Sequence, residues 1–274
     1  MNIQKAILVF RKDWREVSRN WQIVLPMVVV PFMFSIVLPV LMIVLPSLAT
    51  GSDSTSGGFD TMINSFPIDV RNQLAQMTVR QALVYIMSLY FFAPFFLIIP
   101  LMTSSVIASD SFAGEKERKT IEALLATPIS DSELFLGKIL VSFVPSMIVT
   151  IVSFLIYSTV VNTVSFSVFD GRFLLPNPIW ILLIFGLAPT LALASIGLAV
   201  IISARVKGFR EAQQISAILL IPILALVFGQ VSGALILGPV MVAALIGLFG
   251  GIDIIVFKIG LRIFKREEIL SRMT

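Results

Sequence analysis

The chain has 274 residues, of which 57% are hydrophobic and 13% are charged, and its formal net charge is +4. A soluble domain of this length does not need so apolar a composition, so we predict an integral membrane protein. The chain contains no Cys and no His, which excludes disulfides, His-based metal sites and His-based catalytic triads.

Residues 1–22 combine an apolar stripe with scattered cations. The apolar residues follow one another at spacings of three and four, and the cations lie between them. This pattern predicts an amphipathic helix in the lipid headgroup layer, with Trp14 and Trp21 turned inward and Lys12 and Arg19 directed at lipid phosphates. A helix that packs on a protein partner is the alternative.

Uncharged stretches in the rest of the chain are long enough to cross a bilayer, whose hydrocarbon core needs roughly 20 helical residues. One lies within 20–52, and three more occupy 81–109, 139–169 and 173–204. The last, 212–252, has 41 residues, which at about 1.5 Å per residue correspond to two crossings. We therefore predict an all-α membrane protein, one transmembrane domain over 1–274, with six spans at about 23–46, 83–108, 139–162, 177–202, 213–233 and 239–257.

The distribution of basic residues predicts the orientation of the chain. With six spans, 17 of the 20 Lys and Arg residues fall on the side that holds both termini. Such an excess is typical of the cytoplasmic side, so we expect a multi-pass protein of the cell membrane with both termini in the cytoplasm. The basic residues lie in the gaps between apolar runs rather than on one soluble face, and no nucleic-acid partner is expected.

The most charged stretch, 109–138, lies between the second and third predicted spans. Glu115 precedes Lys119 by four residues, and Arg118 precedes Glu122 by four. Pairs at this spacing stabilise a helix, so we predict a short charged helix here.

Two signals bound that helix and start the next one. The residue before a proline avoids helical geometry, so Pro128 is expected to end the charged helix. Ser130 and Glu133 have the spacing of a capping box, which predicts that the helix of the third span begins there.

The run from Gly114 to Pro128, GEKERKTIEALLATP, resembles the cytoplasmic loop of ABC-2 type permeases, the membrane subunits of ATP-driven exporters. In that family the loop holds the coupling helix that docks on the ATPase, so the resemblance implies a coupling helix at about 114–127. Lys119 departs from the family pattern, which often has Gly there. The residues that the resemblance assigns to the ATPase contact are Gly114, Glu115, Glu117, Arg118, Thr120, Glu122, Leu124, Leu125, Thr127 and Pro128.

The short basic loop between the fourth and fifth predicted spans, 203–214, also resembles the family. The resemblance implies a second, smaller contact with the ATPase through Arg205, Lys207, Arg210 and Glu211. Ordinary positive-inside anchoring is an equally good explanation of these charges. The resemblance further implies that 1–22 is the elbow helix before the first span, and that a second permease copy, in a homodimer or a heterodimer, completes the pathway.

The chain has no phosphate-binding loop of the form GxxxxGK[ST], because Gly137-Lys138 is followed by Ile139 and lacks the upstream Gly. We expect no catalytic, cofactor or metal site in this chain, with ATP and Mg²⁺ bound by a partner ATPase subunit. The predicted function is therefore that of an exporter permease.

Two other function classes fit the sequence less well. A secondary transporter or channel that works without ATP is the alternative, but it normally needs charged groups at mid-membrane, and these spans have almost none. An intramembrane enzyme would need a nucleophile with a base or a pair of carboxylates. Asp253 is the only ionisable residue within an apolar stretch, and it lies five residues from Lys258, near the inner interface.

Overall fold

The structure, a computed structural model, describes residues 3–48, 66, 68–120, 129–206, 208–232 and 235–263. Every regular element in these residues is helical, and they contain no strand. Within these described ranges six helices are long and apolar enough to cross a membrane, which confirms the predicted all-α fold with six spans. These first to sixth spans are Trp21–Val44, Val79–Glu117, Ser132–Ser165, Pro178–Ser203, Phe209–Gln230 and Pro239–Gly260.

A separate helix, α1, precedes the first span at Ile3–Arg19. Several spans change from α-helix to a π-helical or 3₁₀ turn along their length. The helical segments in chain order are Ile3–Arg19, Trp21–Phe32, Met33–Val37 (π), Leu38–Leu48, Ile68–Leu74, Val79–Ile86, Met87–Phe91 (π), Phe92–Phe96, Ile98–Ser109, Asp110–Gly114 (π), Glu115–Glu117, Asp131–Ser165, Pro178–Leu182, Leu183–Leu187 (π), Ala188–Ser203, Phe209–Ser216, Ala217–Leu219 (3₁₀), Leu220–Val231 and Pro239–Ile263.

The second and third spans extend beyond the uncharged stretches that predicted them. The helix of the second span continues to Glu117, and that of the third begins at Asp131, ahead of Lys138. Both extensions carry charges and lie at the same end of the bundle, where α1 packs against the third span. We call this region, where α1 meets the last turns of the second span and the first turns of the third, the charged end.

The core of the bundle lies around the second and fourth spans. In the most apolar 18-residue stretch of each span, 67% of residues are buried in the second span and 56% in the fourth, against 11% in the sixth. At the centre, the ring of Trp180 stacks on that of Tyr157 with centroids 4.8 Å apart. A buried indole N–H or phenol O–H needs a hydrogen-bond acceptor. The π-helical turn of the second span supplies two backbone carbonyl acceptors, because a π turn interrupts the regular pattern of α-helical hydrogen bonds.

These hydrogen bonds join three spans. Trp180 Nε1 donates to the Leu89 carbonyl at 3.0 Å, and the Tyr157 hydroxyl donates to the Ser88 carbonyl at 2.6 Å. Both carbonyls belong to the π turn Met87–Phe91. The second, third and fourth spans are therefore fixed to one another by polar contacts as well as by packing.

The substitution Trp180→Phe tests this core. It removes the N–H donor and leaves the Leu89 carbonyl without it, which typically costs about 1–3 kcal/mol for a buried group. We expect a lower midpoint of thermal unfolding for the purified protein in detergent. Trp21→Phe makes the same chemical change at a side chain that is 70% exposed, and its midpoint should match the wild type. Equal thermal midpoints for Trp180→Phe and Trp21→Phe would show that the hydrogen bond from Trp180 to Leu89 does not stabilise the core.

Candidate functional site at the charged end of the bundle

A buried group of charged side chains joins α1 to the second and third spans. The Lys138 ammonium lies 2.5 Å from Glu115 Oε2 and 3.4 Å from Asp13 Oδ2, and it also donates to the Ser111 backbone carbonyl. The Lys138 and Glu115 side chains are each 1% exposed and that of Asp13 is 3% exposed. Buried charges are tolerated when they are paired and hydrogen-bonded. We call these four residues the ion cluster.

The local sequence places Lys138 in this cluster. Ser130 Oγ accepts a hydrogen bond from the Glu133 N–H, and a Glu133 carboxylate oxygen accepts one from the Ser130 N–H. The capping box predicted from the sequence is thus confirmed, and it starts the helix at Asp131. Lys138 lies two turns later, on the side that faces the second span and α1.

Close packing of α1 on the third span depends on Gly137. A Cβ atom at this position would lie 2.7 Å from Val9 Cβ and 2.8 Å from the Ala6 carbonyl oxygen, both on α1. These distances are shorter than atoms tolerate, so a larger residue would push α1 away. Gly137 therefore keeps Asp13 within reach of Lys138.

A second ion pair lies beside the cluster. Arg118 Nη1 donates to Asp110 Oδ1 at 2.9 Å, and Nη2 lies 3.8 Å from Glu16 Oε2 on α1. Gly114 leaves room for this pair, because a Cβ there would lie 2.7 Å from Asp110 Oδ1 and 3.0 Å from Arg118 Nη1. Burial lowers the pKa of Arg118, but the hydrogen bond to Asp110 and the nearby carboxylates outweigh it and raise the pKa above its ordinary value.

Lys12 connects the two ion groups from the partly exposed side. Its ammonium lies 2.7 Å from Glu115 Oε1, 3.2 Å from Asp13 Oδ1 and 3.4 Å from Glu16 Oε1. Burial lowers the pKa of Lys12, but the hydrogen bond to Glu115 and the three negative charges raise it above its ordinary value of 10.5. Because folding raises this pKa, the Lys12 ion pairs stabilise the fold in full below about pH 10.5, the pKa in the unfolded chain. Their contribution is lost as the pH rises above 10.5 through the higher pKa of the folded protein.

The carboxylates are close enough to hold a cation. Oxygens of Asp13, Glu16 and Glu115 lie within 4.8 Å of one another. Lys12 and Lys138 already make the contacts that a metal ion would make, with Lys12 bound to all three carboxylates. The arrangement is therefore that of an ion-pair network.

The last helical residues of the second span also bind the loop between the fourth and fifth spans. Lys116 Nζ donates to the Val206 carbonyl at 3.1 Å, and Glu117 Oε2 accepts from the Phe209 N–H at 2.9 Å. The fifth span begins at Phe209, and the residue before it, Gly208, has no side chain with which to cap the helix. Glu117 supplies the cap from another part of the chain, and a carboxylate is favoured at this end of a helix.

Half of the residues that the resemblance assigns to the ATPase contact are in the described part of the chain: Gly114, Glu115, Glu117, Arg118 and Thr120. The others lie outside the described residues: Glu122, Leu124, Leu125, Thr127 and Pro128. Glu115 is buried, and Glu117 and Arg118 are bound to other parts of the chain. In these positions the charges of the motif organise the helical bundle itself.

The predicted coupling helix needs a correction at its start. It does not begin at 114, because the helix of the second span continues to Glu117 and then ends. Thr120 folds back there, with its N–H and hydroxyl both donating to the Glu115 carbonyl. Lys119 has a φ of 56°, in the left-handed region that favours glycine, at the position where the chain departs from the family's Gly. The predicted pair of Glu115 with Lys119 is wrong, since Glu115 binds Lys12 and Lys138.

Among the described residues, the other predicted site residues lie on the surface, with one exception. Arg205, Arg210 and Glu211 are exposed, as are Trp14, Trp21 and Arg19, while Lys207 lies outside the described residues. Their contacts with an ATPase or with lipid remain predictions. The exception is Lys12, whose ammonium is directed at three carboxylates rather than at lipid phosphates.

Sequence reasoning missed five members of the two ion groups: Asp13, Glu16, Asp110, Ser111 and Lys138. One of them left a signal in the sequence. Asp13 shares the buried stripe of α1 with Ala6, Val9 and Val17, at spacings of three and four. A carboxylate on an apolar stripe indicates a buried partner of opposite charge.

The substitution Lys138→Met tests the cluster. Removing one partner of a buried ion pair typically costs about 3–5 kcal/mol, because Glu115 and Asp13 stay buried. We expect a large drop in the thermal midpoint in detergent, and partial recovery when Glu115→Gln removes the charge left behind. Arg11→Met, at an exposed cation of α1, is the control and should be neutral. A Lys138→Met protein as stable as that control would disprove the role of the cluster.

Comparison with known proteins agrees with the motif. No curated protein has significant sequence similarity to the chain. A model of the ABC-2 family transporter proteins, in contrast, matches residues 7–244, from α1 to the start of the sixth span. The match covers well over half of the sequence, and the chain therefore belongs to the ABC-2 family, whose members are membrane permeases of ABC transporters.

Proposed function

We propose that this chain is the permease subunit of an ATP-driven exporter and that a separate ATPase subunit docks on the loops at its charged end. The sequence has no phosphate-binding loop, so ATP and Mg²⁺ would be bound by the partner. Family membership supports a transport role, and the arrangement of the charged end supports the site of docking.

One observation carries the proposal. The two loops that resemble ATPase contacts in the sequence are joined, because Lys116 binds the Val206 carbonyl and Glu117 caps the helix that begins at Phe209. Arg205, Arg210 and Glu211 remain exposed on the second loop. One partner surface could therefore contact both loops at once.

The ion cluster supports a mechanism in which the loops act as a lever. A push on the segment after Glu117 is passed to α1 and the third span through Glu115 and Lys138, since a buried ion pair resists separation. Closure of the nucleotide-bound ATPase pair would then tilt these helices as a unit and change the access of the pathway from inward to outward. The chain supplies the lever and the pathway, and the partner supplies the energy.

We further propose that the charged end faces the cytoplasm and that the protein lies in the cell membrane with both termini inside. The excess of Lys and Arg on this side supports that orientation. The first, fifth and sixth spans are the least buried: 22%, 28% and 11% of the residues in their most apolar 18-residue stretches are buried. These exposed helices leave room for a second permease copy, identical or related, to complete the pathway.

Docking is tested by changing the segment after the second span. Glu122→Arg, or the double change Leu124→Asp and Leu125→Asp, should abolish co-purification of a co-expressed ABC ATPase subunit that the wild-type chain retains, because a reversed charge or a polar residue is then placed at the contact. Membrane insertion should be normal in both variants.

The control for this experiment is Asp170→Arg, a charge reversal in the turn between the third and fourth spans, at the opposite end of the bundle. This variant should retain the ATPase. Normal co-purification of the Glu122→Arg protein, or solute transport by the purified chain without any ATPase, would contradict the proposal.

A further inference from the structure

A cavity of about 340 Å³ lies between the third, fourth and sixth spans. This volume is in the range of pockets that hold small ligands. Its walls are apolar apart from two charged residues of the sixth span, Asp253 and Lys258. The apolar walls include Phe135, Leu193, Ile196, Ile254 and Phe257.

Within the described residues, the Oδ1 atom of Asp253 has no hydrogen-bond partner. The residue is only partly exposed, and its Oδ1 atom is shielded from solvent and accepts no hydrogen bond from the described residues. Lys258 lies on the same cavity but is exposed, and no ion pair between the two is formed in this part of the chain. A carboxylate in an apolar wall is costly without a cation nearby. A positively charged ligand in the cavity would therefore stabilise the Asp253 carboxylate.

Aromatic rings also favour a positively charged ligand. Phe135 and Phe257 both line the cavity, with ring centroids 5.6 Å apart. The face of an aromatic ring attracts ammonium groups, and carboxylates and rings together are suited to organic cations. A bare metal ion would leave the apolar walls unused, and an anion would be repelled by Asp253.

The cavity is open on the side of the bundle. Leu193 is 38% exposed and Ile254 60% exposed, and both belong to membrane-spanning helices. A hydrocarbon chain that starts in the cavity can therefore continue into lipid. Asp253 lies five residues before Lys258, which is about 7.5 Å deeper along the helix, a depth suited to a headgroup held just below the membrane surface.

We propose that this cavity binds an amphipathic organic cation, with its ammonium group on Asp253 and its hydrocarbon chain along Leu193 and Ile196. The ammonium could belong to a membrane lipid or to a free amphiphile, and the chemistry of recognition is the same for both. This site requires no ATPase and is separate from the loops at the charged end.

Binding is measured with radiolabelled dodecyltrimethylammonium on the purified full-length chain in a neutral maltoside detergent. We expect saturable binding of one molecule per chain, and at least tenfold weaker binding for Asp253→Asn, which keeps the shape of the side chain and removes its charge. Laurate, with a chain of the same length and the opposite charge, should not compete. Asp170→Asn, the same change at an exposed turn, is the control and should bind like the wild type.

A second variant separates loss of the site from loss of the fold. Leu193→Trp fills the cavity and keeps Asp253, and it should also abolish saturable binding while the thermal midpoint stays close to that of the wild type. Equal binding by wild type and Asp253→Asn, or equal competition by laurate, would overturn the proposal.

The source of the ammonium is found with the wild-type chain in phosphatidylglycerol nanodiscs. If added phosphatidylethanolamine displaces the probe, the natural occupant is a lipid headgroup. If it does not, the occupant is a free cationic amphiphile. Either result supports a cation site on Asp253, whereas absence of saturable binding in both detergent and nanodiscs would contradict it.

Discussion

The buried ammonium of Lys138 is the interaction on which the charged end depends. It binds Glu115 from the second span and Asp13 from α1, and all three side chains are shielded from water. A buried ion pair is seldom the most stabilising choice for a site, but it strongly disfavours any arrangement in which one partner is missing. The cluster therefore specifies how α1, the second span and the third span fit together. Apolar packing alone would allow these helices to shift along one another.

The contacts of residues 114–118 explain how a movement of the following segment would be passed to the neighbouring helices. Within GEKER, Glu115 faces inward to Lys138, Glu117 caps the fifth span, and Arg118 binds Asp110. Glu115 thus holds the third span and Glu117 the fifth, while Arg118, besides binding Asp110 of its own helix, lies 3.8 Å from Glu16 of α1. A displacement of the segment that follows has to move these elements together or break charged contacts. Gly114 and Gly137 allow the close approach that this requires.

The sequence predicted the features that depend on local physics. Long uncharged runs revealed six spans, and the spacing of Ser130 and Glu133 revealed the start of the third. It did not predict the ion cluster, because the helical pairing rule assigned Glu115 to Lys119, four residues away, whereas its partner Lys12 is 103 residues away. Such long-range partners are fixed by the packing of whole helices, which a single sequence does not reveal. Lys119, with a φ of 56°, adopts the left-handed conformation at the end of this helix, where the family's Gly would do so without strain, and the sequence prediction did not place the helix end there.

The last turn of the second span holds the loop between the fourth and fifth spans, because Glu117 caps the helix that begins at Phe209. Amide hydrogen exchange over residues 208–216 measures the strength of this contact when wild type, Glu117→Ala and Glu117→Gln are compared. A helix cap worth about 1 kcal/mol corresponds to a change in exchange of roughly fivefold. We expect faster exchange by about that factor in Glu117→Ala, and nearly wild-type exchange in Glu117→Gln, which keeps an acceptor oxygen. Unchanged exchange in Glu117→Ala would show that Glu117 does not hold the loop.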